Sequence, residues 1–164
     1  MNEEMIDVFM DNAAKAAAEP IRVRTDDELN AALAQILAEG DAVFCPCVTD
    51  KEKVVTLSPG TQIEDYRAAS VCVEEVFGAI AETGSLICSS HGGKIVQAGL
   101  LPMHHVAMVP SERIYGNLDD FFASLGDSPP TNITLETGPS RTADIELTLT
   151  VGVHGPGRLT VIVF

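Results

Sequence analysis

The sequence predicts an α/β domain in three layers, with a mostly parallel sheet covered by helices on both faces. Three observations predict it. Strand-length apolar runs recur along the chain, at residues 42–45, 71–73, 85–88, 106–109 and 159–164. They are continuous rather than alternating, as expected of strands buried on both faces. Segments of helical period separate several of them. The chain has 164 residues, enough for one core and too few for two, so a single domain over residues 1–164 is expected.

Each element has a local cause. Met5, Phe9, Ala13, Ala16 and Ala17 mark a helical face within the first 20 residues, which Pro20 closes. Ile21 to Arg24 alternates and reads as a short edge strand. Thr25-Asp26-Asp27-Glu28 is a capping box. Behind it Leu29, Ala32, Leu33, Ile36 and Leu37 form one face, and Gly40 supplies the stop. Residues 42–45 follow as a buried strand. Residues 54–57 are apolar and of either type, and residues 62–69 read as one or two helical turns. Gly92-Gly93 takes positive φ without steric cost and is read as a hairpin turn from Leu86-Ile87 into Ile95-Val96. Pro110 ends the run at 106–109. Asn117 caps a helix with acids in its first turn and Gly126 beyond its end. Residues 133–135 and 159–164 are the last strands.

Acidic residues outnumber basic ones 24 to 10, for a formal charge of -14. Such a surface repels phosphate backbones and anionic lipid, so neither nucleic acid nor membrane is expected as a partner. An anionic ligand needs a local arrangement that overrides the global field. The acidic N-terminus lacks the basic residues of a leader. No apolar stretch approaches the ~20 residues of a membrane span. A cytoplasmic protein is expected. No metal site is expected either: Cys45-Pro46-Cys47 lacks the two-residue spacer of zinc motifs, and no histidine stands at finger spacing from it. The four cysteines read as buried thiols.

Three segments carry more small and polar residues than a core needs. The first, residues 79–85, places Glu82 with Thr83 and Gly84 on a turn entering a buried strand. Partial desolvation there would raise the carboxyl toward general acid/base use; alternatively Glu82 caps backbone N–H groups of its own turn. The second holds His104 and His105. Neighbours on a strand face opposite ways, so at most one enters a shared pocket, and His105 is the candidate; the alternative makes both structural. The third, residues 138–146, follows a strand. Gly138, Ser140, Arg141 and Thr142 form an anion-receptive loop, or else a tight turn in which Ser140 or Thr142 is a helix cap. Asp144 and Glu146 are the candidate acids after it. Residues 145–153 have a strand period, yet a parallel last strand calls for a crossover here. As one strand, Glu146 and His154 lie too far apart for one small site; with a helical turn between, Asp144 and His154 approach each other.

These segments resemble a known family. Residues 80–86, Leu100-Leu101-Pro102 with His105, the Gly-Pro-Ser-Arg-Thr-Ala-Asp-Ile-Glu run of 138–146 and the Gly-Val-His-Gly-Pro run of 152–156 occur in the order seen in the LUD family, of the lactate utilisation protein C (LutC/YkgG) type. The resemblance is strong over roughly residues 70–164 and weak before them, and Lys94 stands for the basic residue expected shortly before the Leu-Leu-Pro step. It implies a fold of the NagB/RpiA/CoA transferase-like class. It also implies an accessory subunit in bacterial oxidation of L-lactate to pyruvate, with iron-sulfur clusters on partner subunits and none bound by this chain alone. On that reading Glu82, Asp144 and Glu146 are the catalytic candidates. Thr83, Gly84, His105, Gly138, Ser140, Arg141, Thr142 and His154 would bind a small anionic metabolite. Two other functions fit the same residues: a stand-alone enzyme on a phosphosugar or CoA ester with Glu82 as base or nucleophile, and a small-molecule-sensing module. A homo-oligomer is left open.

Overall fold

A computed structural model describes residues 3–143, 149–151 and 155–164. Five parallel strands make its main sheet: β1 (Glu19–Arg22), β2 (Val43–Phe44), β3 (Val71–Glu75), β6 (His104–Val109) and β11 (Arg158–Val163), in the order β1-β11-β6-β3-β2. A second, mainly antiparallel sheet holds β4 (Gly78–Ile80), β5 (Ser85–Ser89), β7 (Ile114–Tyr115) and β8 (Ile133–Glu136), in the order β7-β4-β5-β8. The α/β class and the mostly parallel sheet are as the apolar runs predict. The second sheet adds a layer.

Strand alternation sorts the core. Val71, Val73, Val106, Met108 and Ile162 point to helix α2 (Asp26–Ile36) and meet Leu29 and Leu33. Ala107, Val109, Leu159, Val161 and Val163 point the other way, onto Ile6, Phe9 and Ala13 of helix α1 (Glu3–Lys15) and onto Ala79, Leu86 and Cys88 of the second sheet. The outer face of that sheet buries Ile80 and Ile87 against Phe121 of α5 (Leu118–Ser124). Each fully buried Leu, Ile or Phe contributes about 1.5–3 kcal/mol. The helix starts follow their caps: Thr25 Oγ1 accepts from Glu28 N–H, and Asn117 Oδ1 accepts from Asp120 N–H.

One expected hairpin is overturned. Both edges of β5 are taken, by β4 and by β8, so nothing is left for residues 95–96 to pair with. Gly92 and Gly93 do take positive φ, 69° and 81°. They turn the chain into the short helix α4 (Gln97–Leu100) instead. Residues 54–57 form no strand; they follow a one-turn helix, α3 (Asp50–Lys53). Of the ambiguous segment 145–153, Leu149–Val151 is strand β10, antiparallel to β9 (Arg141–Ala143). Among the described residues no helix is long and apolar enough to cross a membrane.

Candidate functional site

The centre of the parallel sheet carries charge. Strand β3 reads Val-Cys-Val-Glu-Glu and all five residues are buried. Two glutamates thus end an apolar strand at its carboxyl end, where open α/β sheets bind ligands. Register places Cys72 beside His105 of β6, so alternation puts Cys72, Glu74 and His105 on one face. On that face His105 is fully buried between two carboxylates. Its Nδ1 lies 2.7 Å from Glu136 Oε2, and its Nε2 lies 3.3 Å from Glu74 Oε1, an ion-pair contact rather than an aligned hydrogen bond. Burial alone would push the imidazole down; Glu136 and Glu74 outweigh it and raise the pKa to about 10. The ring is therefore an imidazolium at neutral pH, and Glu136 Oε1 is buried with no hydrogen-bond partner among the described residues.

Glu52 supplies the second half of the cluster. The Thr49 capping box folds α3 so that this carboxylate turns inward, and it is fully buried. Its oxygens accept from the N–H groups of Val48 (2.7 Å), Thr49 (3.1 Å) and Glu75 (2.8 Å) and from Lys94 Nζ (2.5 Å). Lys94 Nζ also donates to the Glu75 carbonyl and sits 3.8 Å from Glu74 Oε2. Arg113 pairs with the Glu75 carboxylate, and its guanidinium lies 5.8 Å from the centre of the Phe77 ring. Helix α4 closes the cluster at Gly99, where a Cβ would fall 2.6 Å from His105 Nε2 and closer still to Glu74. Only glycine fits there.

A cavity of about 70 Å³ opens onto this cluster, lined by Val48, Thr49, Glu75, Phe77, Ser89, His91, Lys94 and Arg113. Arg113 stands half-buried at its mouth, with a third of its side chain accessible (34%). Glu52, Glu74, Glu75 and Glu136 face Lys94, Arg113 and His105, four acidic side chains against three basic ones. Chemically the arrangement holds a proton on a buried ring between two acids and presents two cations to a small guest.

Of the residues predicted from sequence, His105 alone belongs to this cluster among the described ones. Glu82 is exposed, which corrects the expected desolvation: its turn faces solvent, at a shallow groove shared with Glu4, Val8 and Asp119. Its backbone is what the fold uses, as Asn12 Nδ2 donates to the carbonyls of Ala81 and Glu82. Thr83 is exposed and its hydroxyl meets Ser85, which in turn meets Thr137. Gly84 and Gly138 both take positive φ; a Cβ on Gly84 would lie 2.7 Å from Ala13 Cα in α1, and one on Gly138 3.0 Å from the carbonyl carbon of Ala16, in the turn just after α1. Close packing on α1 and on the turn that follows it accounts for these two glycines. Ser140 N–H donates to the Pro156 carbonyl at 2.8 Å, so the 138–142 loop meets the Gly-Pro step before β11. Arg141 is exposed and Thr142 lies in β9. Asp144, Glu146 and His154 lie outside the described residues.

Glu52, Glu74, Glu75, Lys94, Arg113 and Glu136 were not singled out as a site from the sequence. Two signals were legible: paired acids directly after a Val-Cys-Val strand, and a Thr-x-x-Glu box at Thr49 and Glu52. Among the described residues no group of three or more His, Cys, Asp or Glu is placed to hold a metal ion.

Comparison with known proteins adds a family. Residues 60–164 match the model of the LUD domain. A lactate utilization protein C from Halalkalibacterium halodurans is 32% identical over 107 residues, covering 62% of this chain and 46% of that protein. One from Macrococcus caseolyticus is 38% identical over 90 residues, covering 51% and 39%. One from an Exiguobacterium species is 26% identical over 176 residues, covering 96% and 76%. The matched segments thus span less than half of the first two relatives. The crystal structure of a DUF162 family protein from Deinococcus radiodurans superposes with a TM-score of 0.72 at 24% identity, covering 98% of this chain and 96% of that one, and so shares the fold.

Proposed function

This chain belongs to the LUD domain family, and from that premise we propose that it is an accessory subunit of the lactate utilisation protein C type. In this reading it serves bacterial oxidation of L-lactate to pyruvate beside iron-sulfur partner proteins, with the clusters on the partners. The pathway rests on the lactate utilization names carried by several of its relatives.

The observation that carries the ligand class is the pair of cations, Lys94 and Arg113, at the mouth of one cavity in a chain of charge -14. A small 2-hydroxy or 2-oxo acid suits it: three carbons match about 70 Å³, and a planar guanidinium takes a carboxylate in bidentate fashion. Glu75 now occupies Arg113, so a guest carboxylate competes with it and must share the guanidinium. Phe77 and Val48 give the guest's carbon end an apolar wall.

A thermal-shift panel tests this. L-lactate or pyruvate at 100 times its dissociation constant adds about 2.7 kcal/mol to stability and visibly raises the melting temperature. Arg113→Ala should remove the rise. A flat response to both acids, together with a co-purification from the native source that recovers no iron-sulfur protein, would overturn the reading.

A further inference from the structure

The Cys45-Pro46-Cys47 step continues from β2 directly into the loop that shapes the cavity mouth, and the proposed ligand site does not use its sulfurs. Their Sγ atoms are 3.8 Å apart, in contact and unbonded. The two thiols differ in exposure and in surroundings. Cys45 is buried, 3.8 Å from the Glu52 carbonyl, and burial pushes its pKa up to about 12. Cys47 is exposed, and its sulfur accepts from Gln62 Nε2 at 3.6 Å. The backbone at Cys47 is left-handed, with φ 54°, a conformation non-glycine residues rarely adopt and one that clusters at functional positions. This turn folds the exposed sulfur back over the buried one.

We propose that Cys45 and Cys47 form a redox-active dithiol that exchanges with small disulfides of the glutathione type, Cys47 attacking and Cys45 resolving. The Cys47 thiolate attacks one sulfur of the small disulfide; that S–S bond breaks, and the first small thiolate leaves and takes a proton from solvent. A mixed disulfide now sits on Cys47. Cys45 gives its proton to the second departing small thiolate as its sulfur bonds to Cys47. Two protein thiols are oxidised to one disulfide, and one small disulfide is reduced to two thiols. The unequal exposure sets the order of events, since only the accessible sulfur of Cys47 meets an outside disulfide. The bridge tightens the chain directly before Val48 and Thr49, whose N–H groups hold Glu52 and whose side chains line the cavity. Oxidation therefore acts at the mouth of the site.

The test is peptide mapping by mass spectrometry after the full chain is incubated with oxidised glutathione and its remaining thiols are alkylated. Wild type should yield a Cys45–Cys47 bridged peptide that dithiothreitol returns to two alkylatable thiols. Cys45→Ser should stop at a glutathione adduct on Cys47. Cys47→Ser, left with the buried thiol, should take up roughly tenfold less glutathione than Cys45→Ser. A wild-type chain that keeps the Cys47 adduct as fully as Cys45→Ser would overturn the resolving role of Cys45. An unreacted wild-type chain, with both thiols still alkylatable, would overturn the proposal outright, and this reading needs no variant to fold.

Discussion

His104 and His105 are consecutive residues of one strand, and they live on opposite faces of one sheet in opposite states of charge. His105 faces two carboxylates in a fully buried setting and is raised to about 10. His104 is also buried, yet its Nε2 meets the Thr160 hydroxyl at 2.9 Å. Burial first, and the nearby Arg158 cation second, lower it to about 4. The hydroxyl links onward to Glu19, which Arg158 neutralises with bonds of 3.0 and 2.6 Å. At neutral pH one ring is charged and its neighbour is not. The residue type does not decide this; the charge of whatever the opposite element presents does.

The strongest way to break the contrast is to empty the charged face. Glu52→Ala strands Lys94 in a buried site and removes the acceptor of three backbone N–H groups. A loss of about 3–5 kcal/mol is expected in urea denaturation, and a loss below about 1 kcal/mol would mean that Lys94 and those N–H groups find water instead.

His105→Gln removes the shared cation from Glu74 and Glu136, and its effect carries a pH signature. The folded pKa lies above the ordinary 6.5, so the folded state binds the extra proton. The stabilisation is complete below pH 6.5 and is lost as pH rises toward 10. Wild type should therefore weaken across that window, while His105→Gln, weaker at the start by about 2–4 kcal/mol, should show a flatter profile. Parallel profiles would refute the imidazolium.

Gly99→Ala drives a methyl group into the same pair, and overpacking of this kind costs about 1–3 kcal/mol. An unchanged chemical-denaturation midpoint would show that α4 can shift away.

On the uncharged face the sign reverses. The folded pKa of His104 lies below 6.5, so the unfolded chain takes the proton more readily. Stability is present above pH 6.5 and declines toward pH 4, by on the order of 1–2 kcal/mol. His104→Asn should remove that acid slope and leave the alkaline one to His105. The smallest effect belongs to Glu82→Gln: an exposed carboxylate outside the cluster should change stability by less than about 0.5 kcal/mol, and a larger loss would give Glu82 a structural partner.

The two histidines also show how far local reading reaches. Alternation alone says that His104 and His105 part company, but parity does not decide which of the two enters a pocket. The same logic predicts the α2 cap at Thr25 and the face of Leu29 and Leu33, since all of these depend on neighbours within a turn or two. Glu82 was misjudged because a turn entering a buried strand need not itself be buried. Gly84 and Gly138 sit in the segments that carry the family resemblance, but what they touch is α1 and the turn after it, more than 60 residues away in sequence.

What the sequence determined by itself is therefore the α/β class, the starts of α2 and α5, the opposite facing of His104 and His105, and the glycines at turns. These follow from hydrogen bonds and side-chain periods over a few residues. The tertiary structure alone decided that the strands divide among separate sheets, that β5 pairs with β4 and β8, and that Glu52, Lys94, Glu74, His105 and Glu136 meet. Their meeting joins segments from residue 52 to residue 136. The energy of a buried charge depends on which opposite charge arrives beside it, and that is fixed only when the sheets close.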